Sequence, residues 1–365
     1  MRHRSVAIAL AVLALGGEAT TAMAAPDQAG GAGVRGQVER DGLVHVPAFD
    51  LPFSNLASPE ARDAFVKAAS TPFVLPDAKD IAAFRANADA ASEALIAKQR
   101  ARYAVDIEPQ TIAGVSTLVV TPKAGIAPKN RNRVLIDLHG SGWVVWGRVD
   151  AATEAIPIAA VGQIKVVSID YRLAPEYKFP AASEDVAAVY KALLEHYKPA
   201  DIGIYGCSAG GKLAAQSVAW FDKHGLPKPG AIGVFCGSLG LPTVGDSTIV
   251  SSVIGGRLVM TKAPSPKQAT GPYMVDAPLD DPMAYPEASP ELLARFPPTL
   301  FVTGTRSLEL SAAVHSHIQL LKAGADAELA VWEGMDHGFW RDPDLPESRE
   351  AYDVIVKFFD RHLGQ

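Results

Sequence analysis

The stretch from Asp201 to Gly211, DIGIYGCSAGG, limits the possible fold more than any other part of this 365-residue chain. Asp201–Tyr205 reads as a short buried strand, and Lys212–Phe221 (KLAAQSVAWF) turns helical. Between them Gly206-Cys207-Ser208-Ala209-Gly210 fits the pattern G-x-S-x-G. A strand that passes into a helix this abruptly leaves no room for side chains at positions 206 and 210. Such a turn lifts the Ser208 hydroxyl clear of the sheet and aims the first N–H groups of the helix at the same point. A glycine-rich strand end is commonplace by itself. The strand before it and the helix after it make Ser208 a candidate nucleophile.

Bulk composition bounds the setting. Hydrophobic residues make up 48% of the chain, enough for a large core in one or two domains. The net charge is −6 and the body of the chain has no run of lysine or arginine, so nucleic acid is excluded as a partner. Residues 1–24 stand apart. Arg2-His3-Arg4 precedes the apolar run Val6–Leu15, and Ala22-Met23-Ala24 supplies an A-x-A cleavage site, the pattern of a secretory signal peptide. The run is too short for a comfortable membrane span, and no cysteine follows it to carry a lipid. A periplasmic or secreted protein without a stable membrane anchor is therefore expected. Cys207 and Cys236 are the only cysteines. Two buried free thiols are expected, a single bridge between neighbouring strand ends being the alternative.

Residues 25–49 form a Gly/Ala-rich leader expected to be flexible. Residues 50–102 read as an N-terminal helical cap region, with Ser58 as N-cap, Pro59 at the first helical position, and a long amphipathic pattern over Asp77–Arg102. From residue 103 to 365 the pattern changes to strands alternating with helices. A hairpin across Ala113-Gly114 leads into strands at Arg133–Leu138, Lys165–Asp170, Ile202–Tyr205, Ala231–Phe235, Thr299–Thr303 and Glu328–Trp332. That alternation predicts an α/β fold, its mostly parallel sheet flanked by helices. Residues 239–293 break the alternation and read as a partly helical insertion that adds to the cap.

A serine hydroxyl needs a base to take its proton and donors for the oxyanion. His337, in Glu333-Gly-Met-Asp-His-Gly-Phe339, sits in a loop directly after the last strand and is the candidate base. Leu138-His139-Gly140-Ser141-Gly142-Trp143 follows a buried strand with small residues that let backbone approach a substrate. The N–H groups of Ser141 and Gly142, joined by that of Ala209, form a candidate oxyanion hole. Trp143, Trp146 and Tyr273 are candidates to line a substrate pocket. No H-E-x-x-H, C-x-x-C, Walker or dinucleotide pattern occurs, so no metal or cofactor is expected.

HGSGW, the run Asp170–Glu176 (DYRLAPE) and GCSAGG together resemble the bacterial hormone-sensitive-lipase-like esterases, a branch of the α/β-hydrolases that includes carboxylesterases and lactone hydrolases. The resemblance covers about Tyr103 to the C-terminus and implies an α/β-hydrolase fold with a helical cap. It implies a structural role for Asp170, Arg172 and Glu176 under the oxyanion loop. Two positions depart from the pattern. Cys207 replaces the usual aspartate before the nucleophile, and Ser307 stands where the catalytic aspartate is expected after Thr299–Thr303. Glu309, two residues on, shares a face with position 307 in an extended segment and becomes the candidate acid; Asp336 and Asp342 are the alternatives.

The expected function is that of a serine carboxylesterase acting on short-chain or cyclic (lactone) esters as small-molecule substrates. A non-catalytic ligand-binding protein, or an amidase or peptidase on the same scaffold, is the alternative. A homodimer stays open.

Overall fold

The computed structural model describes residues 36–70, 81–145, 147, 151–242, 244–255 and 271–365. The chain divides into two units, Met1–Pro52 and Phe53–Gln365. The expected signal peptide lies outside the described residues. In the first unit β1 (Gln37–Val38) pairs antiparallel with β2 (Val44–His45). This small hairpin stands where only a flexible leader was expected. Its turn is Asp41-Gly42: Gly42 takes φ +90°, and Asp41 Oδ1 accepts the Leu43 N–H at 3.0 Å.

The second unit opens with two helices, α1 (Pro59–Ala69) and α2 (Ile81–Arg102). Ser58 caps α1, its Oγ accepting the Ala61 N–H at 3.0 Å. The hairpin β3 (Val105–Ile112) and β4 (Val115–Pro122) follows. Ala113 and Gly114 both have positive φ, which matches the turn to the twist of the strands. Then come β5 (Val134–Leu138), α3 (Ala152–Gly162), β6 (Lys165–Ile169), α4 (Ala181–Leu193), β7 (Ile202–Cys207), α5 (Ala209–Lys223) and β8 (Ala231–Phe235). The chain continues through α6 (Ser247–Val253), α7 (Gly271–Met274), α8 (Pro290–Leu293), β9 (Thr299–Gly304), α9 (Leu310–Lys322), β10 (Ala327–Trp332) and α10 (Pro346–His362).

Eight strands form one sheet in the order β10-β9-β8-β7-β5-β6-β4-β3. The six strands from β10 to β6 are parallel, and the hairpin closes one side antiparallel. Every residue of β5, β7 and β8 is buried, because helices cover both faces. Alternation along β5 sorts the core: Val134, Ile136 and Leu138 join the cluster with α4 and α5, while Leu135 joins the one with α3 and α10.

The segments read as cap also contribute to the core of the second unit. Helices α1 and α2 belong to the same unit as the sheet, with Ile96 in its core. Within 239–293, Tyr273, Met274, Tyr285, Leu292 and Leu293 are buried in the core cluster beside α5, where Gln216 Nε2 donates to the Ala284 carbonyl at 3.0 Å. That part of the insertion is core, because its apolar residues complete the face that α5 leaves open. Among the described residues no helix is long and apolar enough to cross a membrane.

Candidate active site

The ends of β5, β7, β8, β9 and β10 meet at one rim of the sheet, where crossover loops of a parallel sheet collect functional groups. Ser208 sits between β7 and α5 with φ 58° and ψ −118°. A non-glycine residue in this region costs about 1–3 kcal/mol and persists only where its surroundings enforce it. Here the Ser208 N–H donates to the Phe235 carbonyl at 2.7 Å and its carbonyl accepts from Lys212 N at 3.0 Å. The oxyanion loop presses on the same turn: a Cβ on Gly140 would lie 3.1 Å from the Cys207 carbonyl oxygen and 3.4 Å from Ser208 Cβ.

That loop is itself held in a left-handed conformation. Ser141, Gly142 and Trp143 have φ of 101°, 63° and 60°, so three consecutive residues turn their amides in a sense that ordinary backbone avoids. The turn is locked from behind. Ala174 N–H donates to the Trp143 carbonyl at 2.7 Å, and the Tyr171 hydroxyl donates to the His139 carbonyl at 2.5 Å while its ring stacks on His139 at 4.1 Å. Burial pushes the His139 imidazole down to about 4, so it stacks as a neutral ring.

The DYRLAPE run therefore works as a brace. Arg172 binds Asp185, Glu184 and the Ala181 carbonyl. Glu176 forms a two-pronged pair with Arg85 of α2, both contacts at 2.8 Å. Arg85 then donates to the Val144 carbonyl at 2.8 Å and the Ala174 carbonyl at 2.7 Å, so it clamps the oxyanion loop to the brace. The sequence carries no signal for Arg85, one charged residue on an amphipathic helix. Replacing it should loosen the loop: Arg85→Ala is expected to lower kcat by about tenfold, as for a misaligned oxyanion donor. Lysine, lacking the fork, should not restore the rate. Steady-state kinetics on a short ester beside thermal midpoints checks this, and an unchanged kcat would exclude the clamp.

The structure brings the candidate acid and the candidate base together. His337 Nδ1 lies 2.8 Å from Glu309 Oε2; the glutamate side chain is 9% exposed and the imidazole 29%. The route differs from the expected one. Residues 305–309 form a turn leading into α9, with Ser307 N–H donating to the Gly304 carbonyl and Leu310 N–H to Ser307. Ser307 thus lies beside Glu309 through the turn, and its Oγ donates to Glu309 Oε2 at 2.9 Å. The alternative acids are occupied elsewhere. Asp336 Oδ1 accepts the His337 backbone N–H at 2.7 Å, and Asp342 pairs with Lys98 at 2.6 Å. Burial pushes the His337 pKa down, but the carboxylate of Glu309 and the sulfur of Cys236 outweigh it, leaving the value well above the ordinary one.

Of the expected pocket residues, Trp146 lies outside the described residues. Trp143 and Tyr273 are 6% and 1% exposed and stack on each other at 5.2 Å. The Tyr273 hydroxyl accepts the Ala182 N–H at 2.8 Å, so the pair packs in the core behind the oxyanion loop. Beneath Ser208 lie side chains the sequence analysis did not single out as site residues. Glu154 of α3 is 3% exposed, its acid raised by burial, and it lies beside Cys207. Cys207 and Cys236 are free, buried and adjacent to each other. Position alone could have found Cys236, since it follows a parallel strand at the rim where the other site residues gather. Among the described residues, no three His, Cys, Asp or Glu side chains are grouped to hold a metal ion.

A strained serine elbow, a left-handed glycine loop and a carboxylate-held imidazole at one rim of a parallel sheet define a hydrolase of the α/β type. A family model described as the alpha/beta hydrolase fold matches residues 135–341. Esterase E25 superposes with a TM-score of 0.78 and 30% identity, covering 87% of this chain and 98% of that one. An esterase from the bacterial hormone-sensitive lipase family gives a TM-score of 0.69 and 25% identity, covering 84% and 99%. The acetyl-hydrolase of Streptomyces hygroscopicus is 27% identical over 235 residues, 64% of this chain and 77% of that protein. The carboxylesterase/phospholipase LipF of Mycobacterium tuberculosis is 28% identical over 248 residues, 64% and 63% of the two chains. The chain belongs to the α/β-hydrolase family, among the bacterial hormone-sensitive-lipase-like esterases. It is a carboxylic ester hydrolase.

Proposed function

We propose that the chain hydrolyses short-chain or cyclic carboxylic esters through an acyl-enzyme on Ser208. The observation that carries this reading is the 2.8 Å contact between His337 and Glu309 at the rim that also holds the elbow. The glutamate fixes the tautomer with hydrogen on Nδ1, which leaves Nε2 free to accept the Ser208 proton. Ser208 Oγ attacks the ester carbonyl, and the N–H groups of Ser141, Gly142 and Ala209 take the oxyanion. His337 then gives its proton to the leaving alcohol, and a water, activated by the same imidazole, releases the acid and frees the serine. The relative named acetyl-hydrolase supports a small acyl group. Ser307 alone would favour a non-catalytic protein; Glu309 on the imidazole removes that ground. The basic and apolar pattern of residues 1–24 supports export to the periplasm or beyond.

The test is a burst and steady turnover on p-nitrophenyl acetate and a lactone panel, followed by a fluorophosphonate label. Complete labelling should abolish turnover and place the mass increase on the peptide carrying Ser208. Turnover that survives full labelling of that peptide, or label on another residue, sinks the proposal.

A further inference from the structure

The reaction above draws on the ends of β7, β9 and β10 and leaves unused the strand between them. Cys236 directly follows β8, fully buried, with a left-handed φ of 41°. Its backbone is pinned by donation of its N–H to the Val302 carbonyl at 2.8 Å. Its sulfur accepts the Gly338 N–H at 3.3 Å, one residue past the base. The same sulfur lies 3.8 Å from Ser307 Oγ and 3.8 Å from Thr303 Oγ1, with the Cys207 thiol and the His337 ring beside it. A chain of contacts thus runs from His337 through Glu309 and Ser307 to Cys236, whose sulfur is tied back to the loop of the base by the Gly338 N–H.

We infer that Cys236 is a positioning residue of the catalytic base, its sulfur holding the His337 loop and sharing the imidazole with Glu309. The inference rests on the reading of Ser208 as nucleophile and His337 as base. A cysteine that only fills space sits among apolar groups as an inert thiol. This one is surrounded by polar groups: a backbone N–H that donates to it, the Ser307 and Thr303 hydroxyls, a second thiol and an imidazole. The departure at position 307 fits the same logic. An aspartate there would set a carboxylate against the sulfur, whereas serine sets a neutral hydroxyl that gives its one proton to the glutamate at 2.9 Å and lies 3.8 Å from the sulfur.

The titratable groups around His337 are Glu309 from the turn before α9, Cys236 from the end of β8, Glu154 from α3, Cys207 from β7, and Asp336 and Arg341 from its own loop. Burial disfavours the imidazolium; Glu309 and Cys236 favour it more. The base works only when neutral, so the acid limb of kcat/KM lies above the ordinary histidine value of 6.5 and activity rises with pH through it. Removing the sulfur removes one of the groups that raise the pKa, so the limb moves to lower pH.

The test is the pH profile of Cys236→Ala and Cys236→Ser on p-nitrophenyl acetate. Cys236→Ala should move the acid limb down by at least about half a pH unit and lower the plateau kcat by about fivefold or more, with KM within about twofold. Cys236→Ser, which keeps a polar donor and acceptor, should fall between it and the wild type. Variants that fold and match the wild type in limb and plateau overturn the inference. Should neither variant fold, thiolate ultraviolet absorbance in the wild type and in His337→Gln decides. Loss of the imidazole should raise the first thiolate midpoint by about one pH unit or more, and an unmoved midpoint overturns the inference. Phosphonylation of the wild type separates the two readings. If turnover survives labelling of Ser208, both fall; if labelling abolishes turnover while the Cys236 variants behave as wild type, only the positioning role falls.

Discussion

Glu309→Ala should lower kcat on a short ester by about 10³- to 10⁴-fold while leaving KM within about threefold. The carboxylate never touches substrate, so ground-state binding has little to lose. What disappears is the acceptor that keeps hydrogen on His337 Nδ1 and the negative charge that stabilises the imidazolium as Ser208 attacks. Glu309→Gln should be nearly as damaging. An amide that turns its NH₂ toward Nδ1 forces the other tautomer and leaves Nε2 unable to accept the serine proton. Ser307→Asp placed in the Glu309→Ala background should recover about tenfold, because position 307 lies beside the acid through the turn and can offer a carboxylate from the usual place. The recovery should be partial, since the new charge faces the sulfur of Cys236. Steady-state kinetics with thermal midpoints for each variant measures this. A loss of less than about tenfold in Glu309→Ala would take the acid role away from this residue.

The reasons that Glu309 was legible and Arg85 was not are physical. The elbow announces itself because strand, turn and helix each leave a local pattern, and the glycines mark where backbone must meet backbone. The parallel sheet was legible for a similar reason: nearly continuous apolar runs such as Val134–Leu138, interrupted only by Asp137, alternate with helices as strands covered on both faces do. Glu309 was found through its position relative to Ser307, but by the wrong geometry. An extended segment was assumed, and a turn before α9 supplies the proximity instead. Arg85 and Glu154 come from helices distant in sequence, and nothing in their own neighbours says which loop they will reach. The role of residues 271–293 was obscured in the same way. Their sequence reads as a partly helical insertion of the cap, and only the uncovered face of α5 makes Tyr273 and Met274 core.

Gly210→Ala should be among the most destabilising single-methyl changes in the chain. A Cβ at this position would lie 1.7 Å from the Leu138 carbonyl oxygen and 2.6 Å from that of His139, both main-chain atoms. Neither side can yield cheaply. Helix α5 is buried along most of its length, and the Leu138–His139 backbone carries the brace from Tyr171. Overpacking of this kind costs typically about 1–3 kcal/mol when side chains can shift, and more when only backbone remains to move. Against a total stability of about 5–15 kcal/mol, a loss of more than about 4 leaves little folded reserve. Gly114→Ala is the matched control. Its φ of +82° makes alanine strained, but nothing lies within 4 Å of the new methyl, so it should cost only about 1 kcal/mol. Urea midpoints for the two variants separate the causes, and equal midpoints would mean that the elbow is not held by this contact. The comparison bears on mechanism as well as stability. The backbone that forbids a methyl at Gly210 is the stem of the oxyanion loop, so the close approach that closes the fold also sets where Ser208 stands relative to the amides of Ser141 and Gly142.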